Sequence, residues 1–418
     1  MLTPRVALFV VLLLAAAGCK ERNPNYCEGE PDNLCTDGGT DASESCSAND
    51  PCSTGVCKEP PGTCVQCLES ADCPGAEPVC NVAMNTCNKC TAHDECPSKA
   101  CLDDGQCAPV GDVAYVDPLT GNDGGACTLA MPCARIMVAV AKSKPYVKVT
   151  GMLDEQVVFD GATTVTLIAA PGARLTKTGS GAVIEVKGSS NVTIEGLEIA
   201  SGSTGSTGVS MPSGGTQRLR LQRVTLKGHT ALAAQITGGS FTLVRSQVLD
   251  NAGGGIQIAG GTFSVVGNVF SNNGGDVATV GGMNIQTAPS AQNRLEFNSF
   301  TRNKTINAQG TALQCAVSNF VARNNILHGN GTVTNTMQHG GACMHEYSLI
   351  DPGTPVGTGN IGGDPLFVDK LMNNLHLSPN SPALDAADPA ATLTGDAAID
   401  IDGQRRTLPA DIGADEVP

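Results

Sequence analysis

Tryptophan is absent from these 418 residues and tyrosine occurs only four times, leaving an aromatic share of 3%. Proteins that bind sugars without reacting with them generally rest the apolar sugar faces on aromatic rings. Such platforms are scarce here, so polar recognition is the remaining route to a carbohydrate. Charge is sparse as well, at 16% of residues, and cations are the rarer sign: 25 Lys and Arg against 40 Asp and Glu give a net charge of −15. With no basic stretch to override that balance, a phosphate backbone would be repelled, which excludes nucleic acid as a partner. Histidine is limited to six scattered residues. The apolar run from Val6 to Ala17 has 12 residues, too few for the roughly 20 that a bilayer-spanning helix requires.

That short run is informative in another way. Arg5 precedes it, and it ends in Ala16-Ala17-Gly18-Cys19. A charged start, a short apolar middle and small residues at the end mark an export signal, which places the mature chain outside the cytoplasm. The segment resembles the lipobox of bacterial lipoproteins, with Ala16 where leucine is commonest. The resemblance implies cleavage after residue 18, acylation of Cys19 (palmitate among the acyl groups) and, with Lys20 following, sorting to the outer membrane. An ordinary cleaved secretory signal is the alternative.

Nineteen cysteines in an exported chain are expected to be paired, and with Cys19 reserved for lipid eighteen remain. Fourteen of these fall between Cys27 and Cys107, so the chain changes character near residue 110. Residues 20–45 are polar with little to bury and read as a tether, with Cys27 and Cys35 able to close a loop. Three tetrads follow: Cys46, Cys52, Cys57 and Cys64; Cys67, Cys73, Cys80 and Cys87; Cys90, Cys96, Cys101 and Cys107. Modules this small cannot bury a core, so covalent staples replace it. The steps Cys64-Val65-Gln66-Cys67 and Cys87-Asn88-Lys89-Cys90 also suit zinc, but a single metal leaves a third tetrad unexplained. The arrangement resembles EGF- or disintegrin-like repeats, which implies a stalk or contact module; connectivity cannot be read from the spacing.

Beyond Asp112 the pattern changes again. Tyr115-Val116-Asp117-Pro118, Gly121-Asn122-Asp123, and a helical pattern from Ala134 to Lys142 resemble the opening of bacterial right-handed parallel β-helix proteins, in which a short helix covers the first rung. Cys127 and Cys133 stand where relatives commonly have other residues, implying a disulfide across that cap. Near the other end, Asp364-Pro365-Leu366-Phe367-Val368-Asp369, Ser381-Pro382-Ala383-Leu384-Asp385 and Asp411-Ile412-Gly413-Ala414-Asp415-Glu416 resemble the C-terminal segment of the secreted choice-of-anchor proteins.

Between these ends lies a repeat. Val192-x-Ile194-x-x-Leu197-x-Ile199 recurs at Leu219-x-Leu221-x-x-Val224-x-Leu226, Phe241-x-Leu243-x-x-Ser246-x-Val248 and Phe263-x-Val265-x-x-Asn268-x-Phe270. Alternation in short runs reads as strands with one face buried, and a fixed period reads as one solenoid coil stacked on the next. A β-sandwich would also alternate, but it gives no reason for one residue type to return at one place. Asn268, Asn298 and Asn325 share one such place; Asn251, Asn273, Asn303 and Asn330 share another, with His229 in line, which predicts vertical amide ladders. The 28-residue separation of Cys315 and Cys343 matches one coil and suggests a bridge between rungs.

The expectation is an all-β chain, a right-handed parallel β-helix preceded by a small disulfide-rich module. Its divisions are a signal at 1–18, a tether at 19–45, three Cys-rich repeats at 46–109, the β-helix with its cap at 110–368 and a C-terminal capping segment at 369–418. Enzymes with this fold usually cut acidic polysaccharides, but the rungs contain no adjacent Asp-Asp and no Gly-His-Gly, which leaves a hydrolase unsupported. Arg223 and Arg245 align on consecutive rungs, pointing outward, where such a pair grips carboxylates; no base stands beside them in the pattern, and a solvated surface pair is the alternative. Glu296 and Arg323 align as a cross-rung charge pair. No catalytic residue, cofactor or metal is assigned; calcium is the one ion suited to the acidic tail at Asp400, Asp402, Asp411, Asp415 and Glu416. The reading is a lipid-anchored surface protein for contact, adhesion or display, its partners being the membrane and a surface polysaccharide or protein. A polysaccharide lyase and a structural envelope component are the alternatives.

Overall fold

The computed structural model describes Cys46, residues 52–59 and residues 62–418 apart from 307–309, 318, 333, 334, 354 and 355. The expected signal and tether, with Cys19, Cys27 and Cys35, lie outside the described residues. Two compact units form. One contains the described residues up to Asp72 together with 80–86, and the other contains 73–79 and 87–418.

Each cysteine tetrad pairs its first member with its third and its second with its fourth. The bridges are Cys46–Cys57, Cys52–Cys64, Cys67–Cys80, Cys73–Cys87, Cys90–Cys101 and Cys96–Cys107. The interlocked loops span only 11 to 14 residues, and they hold strands of three residues that have almost no core beneath them.

The larger unit contains a right-handed parallel β-helix. A ten-stranded sheet (sheet I, starting at Val113–Val116), a nine-stranded sheet (sheet II, starting at Met152–Asp154) and an eight-stranded sheet (sheet III, starting at Val157–Phe159) run along its three faces. Each coil visits I, II and III in turn, because alternation sends one side chain in two into the lumen. In sheet I, Val165, Val192, Leu219, Phe241 and Phe263 stand in one buried column. In sheet II, Leu175, Ile199, Leu226, Val248, Phe270, Phe300, Leu327 and Ile350 form another. Phe270 and Phe300 stack with ring centroids 4.4 Å apart. Burying each ring fully stabilises the fold by roughly 1.5–3 kcal/mol.

The corners explain the asparagines. Between sheets I and II each coil turns on one residue in the left-handed conformation: Gly196, Arg223, Arg245, Gly267, Phe297, Asn324 and Tyr347. The next residue in five of these coils is Ser246, Asn268, Asn298, Asn325 or Ser348, and its side-chain oxygen accepts the corner N–H of the preceding coil. Asn268 Nδ2 donates to Asn298 Oδ1 at 3.0 Å, and Asn298 Nδ2 to Asn325 Oδ1 at 2.9 Å. The corner between sheets II and III repeats the device. Asn251 donates to Asn273, Asn273 to Asn303, and Asn303 to Asn330, at 2.7–2.9 Å, and the column ends on Gln338. His229 takes the same place: its N–H donates to Asn251 Oδ1 at 3.0 Å and its Nε2 lies 3.1 Å from the Ile199 carbonyl.

At the first coil the helix Ile136–Val140 covers the lumen with Ile136 and Ala139, and Cys127 bridges Cys133. The helix is shorter than the 134–142 pattern suggested, because Asp123 and Glu155 accept the N–H groups of Ala134, Arg135 and Ile136 and fix its start. Cys315 bridges Cys343 near the far end.

Two boundaries differ from the sequence reading. Residues 369–418 do not sit on the end of the solenoid; they run along its flank. Ala383, Ala387, Ala397, Ala410 and Ile412 cover Val266, Phe297, Ile326 and Leu349 at the corner between sheets I and II. A buried guanidinium clamps this strap: Arg406 donates to the Gly413 and Ala414 carbonyls, pairs with Glu416 and lies 4.5 Å from the Phe297 ring centroid. The third Cys-rich repeat is likewise part of the β-helix unit. Ala100 and Ala108 pack with Tyr115 and Ile168, and the Tyr115 hydroxyl donates to the Ser98 carbonyl at 2.9 Å. The reason is the same in both cases: the corner columns present apolar residues outward that need cover.

Candidate functional site

The third repeat covers the corner of the early coils and the C-terminal strap covers that of the later ones. Where they meet, the larger unit has a cleft of about 920 Å³. His93, Lys99 and Asp103 come from the repeat, Lys148, Arg223 and Arg245 from sheet I and its corner, and Asp402 from the strap. Arg223 and Arg245 are brought together here because the left-handed corner residue repeats vertically, at φ 52° and 49°. Holding a bulky side chain in that conformation costs roughly 1–2 kcal/mol.

Those contacts are internal. Arg245 Nη2 donates to Asp103 Oδ1 and Oδ2 at 3.0 and 3.2 Å, and Arg223 donates to Asp103 Oδ1 while lying 3.4 Å from Glu195. Burial pushes the Asp103 carboxyl up, but hydrogen bonds from Arg223 and Gln222 and the two positive charges outweigh it and bring it to about 2. The arginine pair that could have gripped an external carboxylate, or stood solvated on the surface, therefore holds a carboxylate of its own chain.

The pattern of aligned cations is spent in the same way elsewhere. Arg220 pairs with Asp396 of the strap at 2.6 Å, Arg174 with Glu198, Arg294 with Glu296 and Arg323 with Glu346. The expected Glu296–Arg323 pair is in register but not formed, since each side chain has a nearer partner: Arg294 lies two residues before Glu296, and Glu346 one coil beyond Arg323. Arg302 turns onto the Leu371 carbonyl and Asn373 Oδ1 of the strap.

Sequence reasoning missed Asp103, Lys148, Glu195 and His93. Lys148 points outward from strand Tyr146–Val149, yet the covering repeat leaves it 3% exposed. Burial lowers its ammonium to about 8 despite the opposing charge of Glu195, and Glu195 is raised by the same burial. His93 accepts the Cys101 N–H at Nδ1 (3.2 Å) and is lowered, first by burial and then by the Lys148 charge. Nothing in the local alternation marks these residues, because their cover comes from far away in sequence.

The acidic tail is used on the backbone. Asp400 accepts from the N–H groups of Asp402, Gln404 and Glu416, Asp411 from Asp385 and Val417, and Glu416 from Thr407 and Asp411. His376, Asp402 and Asp415 bring ligand-type atoms within 4.8 Å of one another. There His376 Nε2 meets Asp402 at 2.6 Å and Asp415 accepts the Leu377 N–H at 2.7 Å. The cysteine groups at similar spacing are bound in disulfides. No helix among the described residues is long and apolar enough to cross a membrane.

No curated protein matches this chain. Among solved structures, the crystal structure of pectate lyase Pel9A is similar over 73% of this chain and 96% of that one, at 14% identity and a TM-score of 0.40. Residues 177–349, the coils that carry the asparagine ladders and both corner arginines, match the family model described as right handed beta helix region.

Proposed function

We propose that this chain is a lipid-anchored cell-surface protein, held at Cys19, whose β-helix serves contact, adhesion or display without catalysis. The observation that carries this reading is the occupation of Arg223 and Arg245 by Asp103. Gripping a uronate polymer requires carboxylate-binding arginines facing solvent, and here an internal carboxylate holds both. The export-signal pattern ending at Cys19, the stapled repeats and the tail resembling choice-of-anchor proteins support a position outside the cytoplasm. The partners that fit are a surface polysaccharide recognised by polar groups, or a protein. The anchor is tested by Cys19→Ser: fatty-acid labelling is lost and the protein is left unprocessed or soluble, whereas unchanged labelling refutes it.

One observation favours a polysaccharide lyase as a second reading. Lys148, brought to about 8, lines the same cleft as the two arginines, and a lysine near that value can serve as a general base. Incubation with a panel of uronic-acid polymers, with and without calcium, separates the two. Contact and display predict no unsaturated-sugar absorbance; absorbance that disappears in both Arg245→Ala and Lys148→Met establishes the lyase.

A further inference from the structure

The last coil holds two histidines that play no part in the cleft. His345, in strand Met344–Glu346, stands in register with the fully buried Ala322, and His339, in strand His339–Gly341, with the fully buried Leu313. Alternation therefore turns both imidazoles to the lumen side, where the coils below place aliphatic side chains. Their ring centroids are 4.5 Å apart, with planes tilted by 59°. His345 is 3% exposed, and among the described residues neither of its ring nitrogens has a hydrogen-bond partner.

A neutral imidazole has one donor and one acceptor, and burying both unpaired opposes folding. An unpartnered ring nitrogen of His345 with a second imidazole against it is the kind of donor set that ligates a metal ion, which would satisfy the buried nitrogen.

We propose that His339 and His345 form a binding site for one copper(I) ion in the terminal coil. The choice of ion follows from charge. The pair supplies no negative charge, Glu346 is spent on Arg323, and the Cys315 and Cys343 sulfurs form a disulfide and are not thiolates. A divalent ion would carry two uncompensated charges into an apolar lumen, whereas monovalent copper carries one, and copper is among the metals that imidazole suits. His339 is partly exposed and gives the ion its entry.

The test is an anaerobic titration of the full chain, stripped by a chelator, with copper(I) delivered from a chromogenic competitor. The expected result is uptake of one copper(I) per chain with a rise in melting temperature. His345→Phe and His339→Phe each abolish both effects, and His376→Ala leaves both intact. His345→Phe puts an apolar ring in an apolar column, so metal-free it is expected to melt no lower than the metal-free parent, which separates lost binding from lost folding. No uptake, uptake that survives both phenylalanine variants, or zinc(II) held by the pair in preference to copper(I) overturns the proposal.

Discussion

The asparagine ladders make a strong quantitative prediction about this fold. Asn273 lies in the middle of its column and is fully buried. Its Nδ2 donates to the Val248 carbonyl at 2.8 Å and to Asn303 Oδ1 at 2.9 Å, while its Oδ1 accepts from Asn251 Nδ2 at 2.7 Å and from the Asn251 N–H at 3.4 Å. Asn273→Leu keeps the branched skeleton of the side chain and removes all four. Asn303 Oδ1 retains the backbone N–H of residue 273, and Asn251 Nδ2 retains the Leu226 carbonyl. The Asn251 N–H and the Val248 carbonyl lose their ladder partner inside the protein, at about 1–3 kcal/mol each. Burying the leucine methyl groups returns about 1–2 kcal/mol, so the expected net loss, taken from the middle of these ranges, is about 2.5 kcal/mol. Lys304→Ala, on the surface next to the same ladder, is expected within about 0.5 kcal/mol of the parent. Urea unfolding followed by circular dichroism reads both. A ladder also predicts coupling: Asn273→Leu with Asn303→Leu costs less than the sum of the two, because each change removes the partner of the other. Equal stability of Asn273→Leu and Lys304→Ala, or strict additivity of the pair, refutes the ladder as a source of stability.

Two further predictions concern charge. His229 is held neutral at about 4 by burial, against 6.5 for a free imidazole, so the unfolded chain binds the extra proton first and stability falls as pH drops from about 6.5 towards 4. The gap amounts to about 3 kcal/mol; His229→Asn, which restores the ladder residue, is expected to flatten the urea midpoint between pH 7 and pH 5, and parallel slopes for the two proteins would contradict this. Asp103, lowered to about 2, stabilises the fold above the usual carboxylate range and loses that contribution as pH falls through about 2. The group is partly exposed, so Asp103→Ala is expected to cost only about 1 kcal/mol globally. Its main effect is local: faster amide hydrogen exchange across residues 100–108 with the rungs unchanged. Unaltered exchange there would mean that the arginines do not hold the repeat in place.

The parts of this molecule that were legible in its sequence are those in which one position repeats one physical problem. The lumen columns at Val165, Val192, Leu219, Phe241 and Phe263 and the amide columns through Asn273 and Asn298 are periodic because each coil must solve the same burial and hydrogen-bonding problem as its neighbour. Arg223 and Arg245 were visible for the same reason, as a repeated corner, but their role was not. A corner residue points outward whatever lies there, and the partner, Asp103, is more than a hundred residues away. The strap misread as an end cap shows the same limit. Its short apolar pieces are spaced for the side of the solenoid, and only the outward Val266, Phe297, Ile326 and Leu349 reveal where they go. His345 was readable and passed over: Met344-His345-Glu346 places an imidazole where the alternation demands an aliphatic side chain. A departure of that kind inside an otherwise regular column is a local conflict with the fold, and such conflicts concentrate where a protein does something beyond folding. By that argument the terminal coil, more than the cation-lined cleft whose arginines are already satisfied, is where binding chemistry is to be sought first.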